Sequence, residues 1–155
     1  MDQTAVGQAR AARGFGFGTV FAVVTAGVAM SNLDTFIVNV ALPNIGAHFG
    51  GTSLSSLSWI LNAYAVVFAA GLIPAGRLAD RTSARRAYLF GIGLFTVASA
   101  LCAVTPDVWT LVAARVVQAV GAAALIPSSL GILMAAAPPE KRLPAVRAWT
   151  GISGL

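Results

Sequence analysis

Long apolar runs separated by short polar links dominate this chain of 155 residues. A transmembrane helix needs about 20 mainly apolar residues, and four runs approach or exceed that length, at residues 14–42, 57–76, 87–104 and 108–137. A fifth apolar run starts at about residue 145. The runs do not alternate between apolar and polar positions as the strands of a membrane barrel do. The pattern predicts an all-α fold, a polytopic transmembrane helix bundle over residues 14–155, preceded by an N-terminal tail at residues 1–13.

Composition excludes a water-soluble globule. Only 10% of the residues are charged and 57% are hydrophobic, whereas a soluble domain carries about a quarter of its residues as charged side chains. We therefore expect the chain to be solvated by a lipid bilayer.

The basic residues indicate an orientation. Nine of the ten flank the apolar runs in three groups: Arg10 and Arg13; Arg77, Arg81, Arg85 and Arg86; Lys141, Arg142 and Arg147. The links at residues 43–58 and 105–107 contain no lysine or arginine. By the positive-inside rule this predicts a multi-pass protein with a cytoplasmic N-terminus. Aromatic residues do not interleave with the basic groups, which argues against nucleic-acid binding.

Two further features bear on topology. Trp59, Tyr64 and Trp109 lie near the ends of runs, as aromatic anchors at a membrane interface do. The first run also has a loose signal-peptidase site at residues 27–29. Because three more apolar runs follow, we expect the first run to be retained as a transmembrane helix.

Asp34 is the first candidate for chemistry. A carboxylate in the bilayer costs at least about 2.5–3.5 kcal/mol, so it normally faces a cavity or a partner. It is therefore a candidate proton carrier; the alternative is a structural residue at a kink or a wet position near the outer surface. Asn39 lies further along the same run, where it could line a cavity or make an interhelical hydrogen bond.

Arg115 is the second candidate. It lies about 12 Å inside the fourth run at 1.5 Å per residue, too deep for easy contact with water, and Gln118 shares its helix face at i+3. We expect a buried anionic partner. Arg115 could couple proton movement or orient substrate, or Arg115 and its anionic partner could form an ion pair that only fixes helix packing.

The segment from Gly76 to Arg86 is the third candidate, interpreted as a loop between the second and third spans. Asp80 lies at the C-terminal end of a helix, where the macrodipole disfavours an acid. We expect an acid at that place to interact with an arginine or with the N-terminal end of another helix. Such a contact could close a gate on one side of the membrane and be released on the other. The alternative is a solvated basic loop with an incidental acid.

These features together resemble the major facilitator superfamily, and in particular its bacterial drug:proton antiporters with fourteen spans. Four segments carry the resemblance: Leu33-Asp34-Thr35 with residues 37–43, Trp59 to Tyr64, Gly76 to Arg86, and Leu111 to Ala123 around Arg115, Gln118 and Gly121. The similarity covers residues 15–155. Ser83, Ala84 and Ala119 depart from the family pattern. Residues 151–155 are similar to the opening of a fifth-helix antiporter motif.

The resemblance implies a secondary transporter of the bacterial inner membrane that exports small amphipathic or drug-like compounds. A proton gradient would supply the energy, with no cofactor. By this resemblance, Asp34 and Arg115 would take part in proton coupling, and the gating loop would contain Gly76, Asp80, Arg81, Arg85 and Arg86. Because such transporters build their site between two six-helix halves, the chain is interpreted as part of the N-terminal half, which needs its C-terminal half and does not transport alone.

Two other classes of function compete with transport. The chain could be a natural half-bundle that binds a partner protein without transporting. A membrane-embedded enzyme is the least supported class, because the sequence has one histidine, His48, one cysteine, Cys102, and neither a metalloprotease nor a nucleophile-elbow motif.

Overall fold

The computed structural model describes residues 16–50 and 53–154, and within them the chain forms five helices. They are α1 (Phe17–His48), α2 (Leu54–Arg81), α3 (Ala84–Ala103), α4 (Val108–Ala136) and α5 (Pro139–Ser153). The first four are long and apolar enough to cross a membrane. No strand occurs in the described residues, so the predicted all-α class is confirmed.

Local sequence explains where two of these helices begin. Ser53 precedes α2, and its Oγ accepts a hydrogen bond from the Ser56 backbone N–H at 3.2 Å. Asp107 precedes α4, and its Oδ1 accepts from the backbone N–H groups of Trp109 and Thr110, each at 2.9 Å. Both side chains satisfy donors that the first turn of a helix leaves without partners.

The helices extend past the apolar runs that predicted them. α1 continues to His48 rather than ending at residue 42, and α5 begins at Pro139 rather than near residue 145. The segment interpreted as a loop at residues 76–86 is mostly helical, since only Thr82 and Ser83 separate α2 from α3. The apolar run measures the part of a helix inside lipid, whereas backbone hydrogen bonding continues into the polar flank.

Helix α4 is the centre of the bundle. It packs against α1, α2, α3 and α5, and 50% of its most apolar stretch is buried, compared with 28% or less in the other three spans. Small side chains allow this approach: a Cβ added at Gly121 would lie 2.9 Å from the Gly91 carbonyl oxygen in α3. Close backbone contact through small residues is how membrane helices associate without a hydrophobic driving force between them.

Two apolar clusters hold the four spans together. One contains Tyr64, Tyr88, Phe95 and Leu125, and the other joins the start of α4 to the start of α2 through Leu57, Ile60, Val108 and Leu111. The Tyr88 hydroxyl also donates to the Val23 carbonyl oxygen at 2.9 Å, which ties α3 to α1. These contacts fix α1 and α4 side by side.

Candidate functional site

A buried ion pair joins α1 to α4. Arg115 Nη1 donates to Asp34 Oδ2. The Arg115 side chain is 1% exposed, whereas that of Asp34 is 21% exposed. The predicted anionic partner of Arg115 is therefore Asp34 itself, and the carboxylate is the member of the pair that can be reached from outside the bundle.

Gln118 completes a closed hydrogen-bonded ring with the pair. Its Oε1 accepts from Arg115 Nη1 at 2.6 Å, and its Nε2 donates to Asp34 Oδ1 at 2.9 Å. The same Nε2 donates to the Ser99 hydroxyl in α3 at 2.7 Å. The i+3 spacing of Arg115 and Gln118 places both on one helix face, so both can reach the same carboxylate.

Tyr64 in α2 lies against the arginine. Arg115 Cζ is 4.1 Å from the centroid of the Tyr64 ring, which is a cation–π contact. The Tyr64 hydroxyl is 3.4 Å from the Ser31 hydroxyl in α1. The interpretation of Tyr64 as an interfacial anchor is wrong, because its side chain is buried at 6% exposure; Trp59 and Trp109 are exposed, as anchors require.

Arg115 retains unused hydrogen-bonding capacity. Among the described residues, no acceptor is within hydrogen-bond distance of its buried Nε or Nη2. A buried donor without a partner costs about 1–3 kcal/mol. Because both nitrogen atoms are enclosed, a further acceptor can reach them only when the helices around Arg115 move apart.

A cavity of about 280 Å³ adjoins the cluster between α1 and α2. Its lining combines polar groups, from Ser31, Asn32, Thr35 and Tyr64, with the rings of Phe36 and Phe68. Asn32 also donates to the Ile152 carbonyl oxygen at 2.7 Å, which ties α5 to α1 beside the cavity.

Asn39 does not join the cluster. Its side chain is exposed, and its Nδ2 donates to the Thr35 carbonyl oxygen of its own helix at 2.9 Å. Of the two roles considered for it, the interhelical hydrogen bond is absent among the described contacts, and Asn39 does not line the cavity beside the cluster.

The predicted gating residues meet at one end of the bundle. Asp80 and Arg81 end α2, while Arg85 and Arg86 lie in the first turn of α3, and all four are exposed. Within the described part of the chain, Asp80 forms no ion pair. Gly76 packs on α4 near Pro127, twelve residues and so about 18 Å along the helix from Arg115. The Asp34–Arg115 ion pair and the residues predicted to form a gate therefore lie in two separate places.

Sequence reasoning missed three members of the cluster: Ser31, Tyr64 as a buried residue, and Ser99. A polar side chain inside an apolar run was an available signal for Ser31 and Ser99. No pattern in the sequence indicates that their helices converge on Arg115.

Apolar helices of membrane-spanning length, joined by a buried ion pair, define a multi-pass membrane protein. The family model of the Major Facilitator Superfamily matches residues 24–155. The chain belongs to this superfamily of membrane transporters, which confirms the resemblance drawn from its motifs.

The relatives include drug-resistance proteins. The chain is 42% identical over 140 residues to the methylenomycin A resistance protein of Streptomyces coelicolor, covering 90% of this chain and 29% of that protein. It is 38% identical to the tetracenomycin C resistance and export protein of Streptomyces glaucescens, covering 92% and 26%. It is 36% identical to the riboflavin transporter RibZ of Clostridioides difficile, covering 87% and 28%. The chain thus spans less than a third of the length of these relatives.

Proposed function

We propose that this chain forms part of a proton-coupled secondary transporter that exports small organic compounds across the bacterial inner membrane. The buried Asp34–Arg115–Gln118 ring carries the proposal. The names of the relatives, which cite resistance to methylenomycin A, export of tetracenomycin C and transport of riboflavin, support small organic molecules as the substrate class.

Asp34 is the proton carrier in this proposal. Its carboxylate is the accessible member of the pair and accepts two hydrogen bonds, from Arg115 and Gln118. Protonation removes the negative charge that compensates Arg115, and a buried charge without its partner is unfavourable. Uptake of a proton therefore drives a rearrangement around Arg115, and release of the proton restores the ring.

Arg115 links the proton to the substrate. When protonation of Asp34 opens the ring, the enclosed Nε and Nη2 donors of Arg115 become able to bind an acceptor on a substrate, while the Tyr64 ring stays against the guanidinium plane. The adjoining cavity supplies hydroxyl and amide groups beside aromatic rings, a combination suited to amphipathic molecules. The remaining wall of the substrate site and the partner of Asp80 are assigned to a second half of the transporter.

The decisive experiment uses Asp34→Asn in a longer protein that contains this chain. Everted membrane vesicles are energised, and proton-driven accumulation of a fluorescent amphipathic dye is measured. We expect Asp34→Asn to reduce accumulation to the level of vesicles without the protein, because the amide cannot carry a proton; the vesicles are matched for the amount of folded protein, since loss of the carboxylate also destabilises the bundle.

Asp107→Asn is the matched control, since it makes the same chemical change at an exposed helix cap that asparagine also fills. It should leave accumulation unchanged. Proton-driven accumulation by Asp34→Asn at the unmodified rate would refute the proposed coupling. Absence of gradient-driven flux in the unmodified protein, together with stable capture of a partner protein, would favour the half-bundle alternative.

A further inference from the structure

A long apolar groove lies between α2, α3 and α4. Its volume is about 720 Å³, and its walls include Val66, Ala70, Pro74, Phe90, Val120 and Ala123. None of the described residues that line it belongs to the Asp34–Arg115 cluster. The groove is therefore a feature separate from the proposed coupling site.

One end of the groove is basic. Thr82 and Arg86 line it there. A neighbouring hollow of about 400 Å³ shares Pro74 and Leu78 with the groove and is lined by Arg77 and Arg81. Asp80, the acid between these arginines in sequence, is not among the residues that line either space. The apolar groove thus has Arg86 at one end, and the hollow lined by Arg77 and Arg81 adjoins the groove through Pro74 and Leu78.

The dimensions match one leaflet of a bilayer. Val66 and Leu78 are twelve residues apart on α2, which corresponds to about 18 Å along the helix axis. Half of a bilayer hydrocarbon core is about 15 Å thick. When the apolar part of the groove lies beside the acyl chains, the three arginines lie at the depth of the phosphate groups.

We propose that this groove binds an anionic phospholipid, with one acyl chain between α2 and α3 and the headgroup phosphate held by Arg77, Arg81 and Arg86. Arginine binds phosphate through charge-assisted hydrogen bonds, and basic pockets between membrane helices recognise anionic headgroups. If the arginines lie on the cytoplasmic side, as predicted, the lipid comes from the inner leaflet. The choice of leaflet depends on this predicted orientation, whereas the binding of an anionic phospholipid does not.

Charge also argues against other occupants. A second copy of the chain seated on the same face would bring its own arginines against these three. A cationic amphipathic substrate would meet the same repulsion, and the amine of a zwitterionic lipid would offset part of the attraction of its phosphate. An anionic phospholipid satisfies both the apolar walls and the basic end.

The test places a fluorescent reporter in the groove. Phe90 lines it and is 60% exposed, so Phe90→Trp reports an acyl chain by quenching with bromine. The protein is reconstituted in phosphatidylcholine vesicles that contain a minor fraction of brominated phosphatidylglycerol or of brominated phosphatidylcholine. The measured quantity is quenching in excess of the protein without the added tryptophan. Val97→Trp is the matched control, since Val97 is also 60% exposed on α3 and does not line the groove.

We expect Phe90→Trp to be quenched at least five-fold more effectively by the phosphatidylglycerol, and Arg86→Gln to lower this preference by about five-fold, the effect of roughly one arginine near a surface. Arg85→Gln makes the same change one residue away and should leave the preference intact, because Arg85 lines neither space. Three results would overturn the proposal. The two brominated lipids could quench Phe90→Trp equally, Val97→Trp could show the same preference for phosphatidylglycerol, or Arg85→Gln could lower that preference as much as Arg86→Gln does. The last two would attribute the effect to the general charge of the surface. Absence of quenching by either lipid would show that protein covers the groove, which also overturns it.

Discussion

At the scale of single residues, the ion pair is stabilised from several helices at once. Arg115 contacts Asp34 from α1, Gln118 from its own helix and the Tyr64 ring from α2. In a low-dielectric interior, removal of one charge leaves the other uncompensated. The members of such a ring should therefore act as a unit rather than as independent contributors.

A double-mutant cycle tests this interdependence. We expect Arg115→Gln and Asp34→Asn each to destabilise the fold by about 3–5 kcal/mol, the usual cost of breaking a buried pair. The double variant should lose less than the sum, with a coupling energy of about 0.5–3 kcal/mol. The measurement is the free energy of unfolding in detergent, followed by circular dichroism.

The control cycle uses Arg85→Gln in α3 and Asp107→Asn at the cap that precedes α4, which change the same residue types at exposed positions. Their effects should add. Additive losses in the Asp34–Arg115 cycle as well would mean that the two side chains stabilise the bundle independently.

Asp107 should make stability dependent on pH in the acid range. Its hydrogen bonds from the Thr110 hydroxyl and the Thr110 and Trp109 backbone N–H groups lower the pKa of this carboxyl below its usual value of 3.8. Because the unfolded state then binds the proton more readily, the stabilisation is present above about pH 4 and is lost as pH falls through the folded-state pKa. The unfolding midpoint should fall with decreasing pH in that range, and the loss should be smaller in Asp107→Asn, whose cap does not titrate.

At the scale of helices, contact between α3 and α4 depends on missing side chains. A Cβ at Gly121 would lie 2.7 Å from the Phe95 backbone nitrogen and 2.9 Å from the Gly91 carbonyl oxygen. These are backbone atoms, so the helices themselves must separate to admit a methyl group. Because α4 positions Arg115 and Gln118 while α3 carries Ser99, that movement also disturbs the ring.

Gly121→Ala should therefore destabilise the bundle by about 1–3 kcal/mol, as overpacking does. Gly93→Ala in α3 is the matched control, since nothing lies within 4 Å of a Cβ added there. It should be neutral or stabilising, because alanine is favoured over glycine in a helix by about 1 kcal/mol. The measurement is the melting temperature of each variant in detergent, which should be lower for Gly121→Ala than for Gly93→Ala. A Gly121→Ala protein as stable as Gly93→Ala would show that the two helices can move apart at no cost.

At the scale of the whole molecule, orientation follows from the distribution of basic residues. The link between α2 and α3 is flanked by Arg77, Arg81, Arg85 and Arg86, whereas the start of α2 carries only neutral polar groups. By the positive-inside rule, we expect the arginine-flanked link to lie in the cytoplasm.

Labelling of single cysteines tests this topology. In a Cys102→Ala background, a membrane-impermeant maleimide should label Ser55→Cys in intact cells and Thr82→Cys only after the membrane is opened. Both positions are exposed hydroxyl residues next to links, so reactivity differs by side of the membrane and not by burial. The reverse labelling pattern would invert the topology and move the proposed lipid site to the outer leaflet.

The sequence by itself determined the membrane setting, the helical class and the identity of the charged residues in the site. These follow from local properties, because the length and polarity of a run decide whether it can cross a bilayer, and an isolated charge within it demands a partner. Asp34, Arg115 and Gln118 could be singled out for this reason. The i+3 spacing joined only Arg115 to Gln118, and nothing in the sequence identified Asp34 as their partner.

Only the tertiary structure decided which groups meet. The inward position of Tyr64, the bridge from Gln118 to Ser99 and the approach of Gly121 to Gly91 depend on how four helices are rotated and packed. Rotation is set by side-chain fit between neighbours distant in sequence. Apart from the faces that carry Asp34, Arg115 and Gln118, the surfaces of these helices are largely apolar and could also turn toward lipid. The hydrophobic pattern that identifies a membrane helix so clearly carries little information about which of its faces points inward.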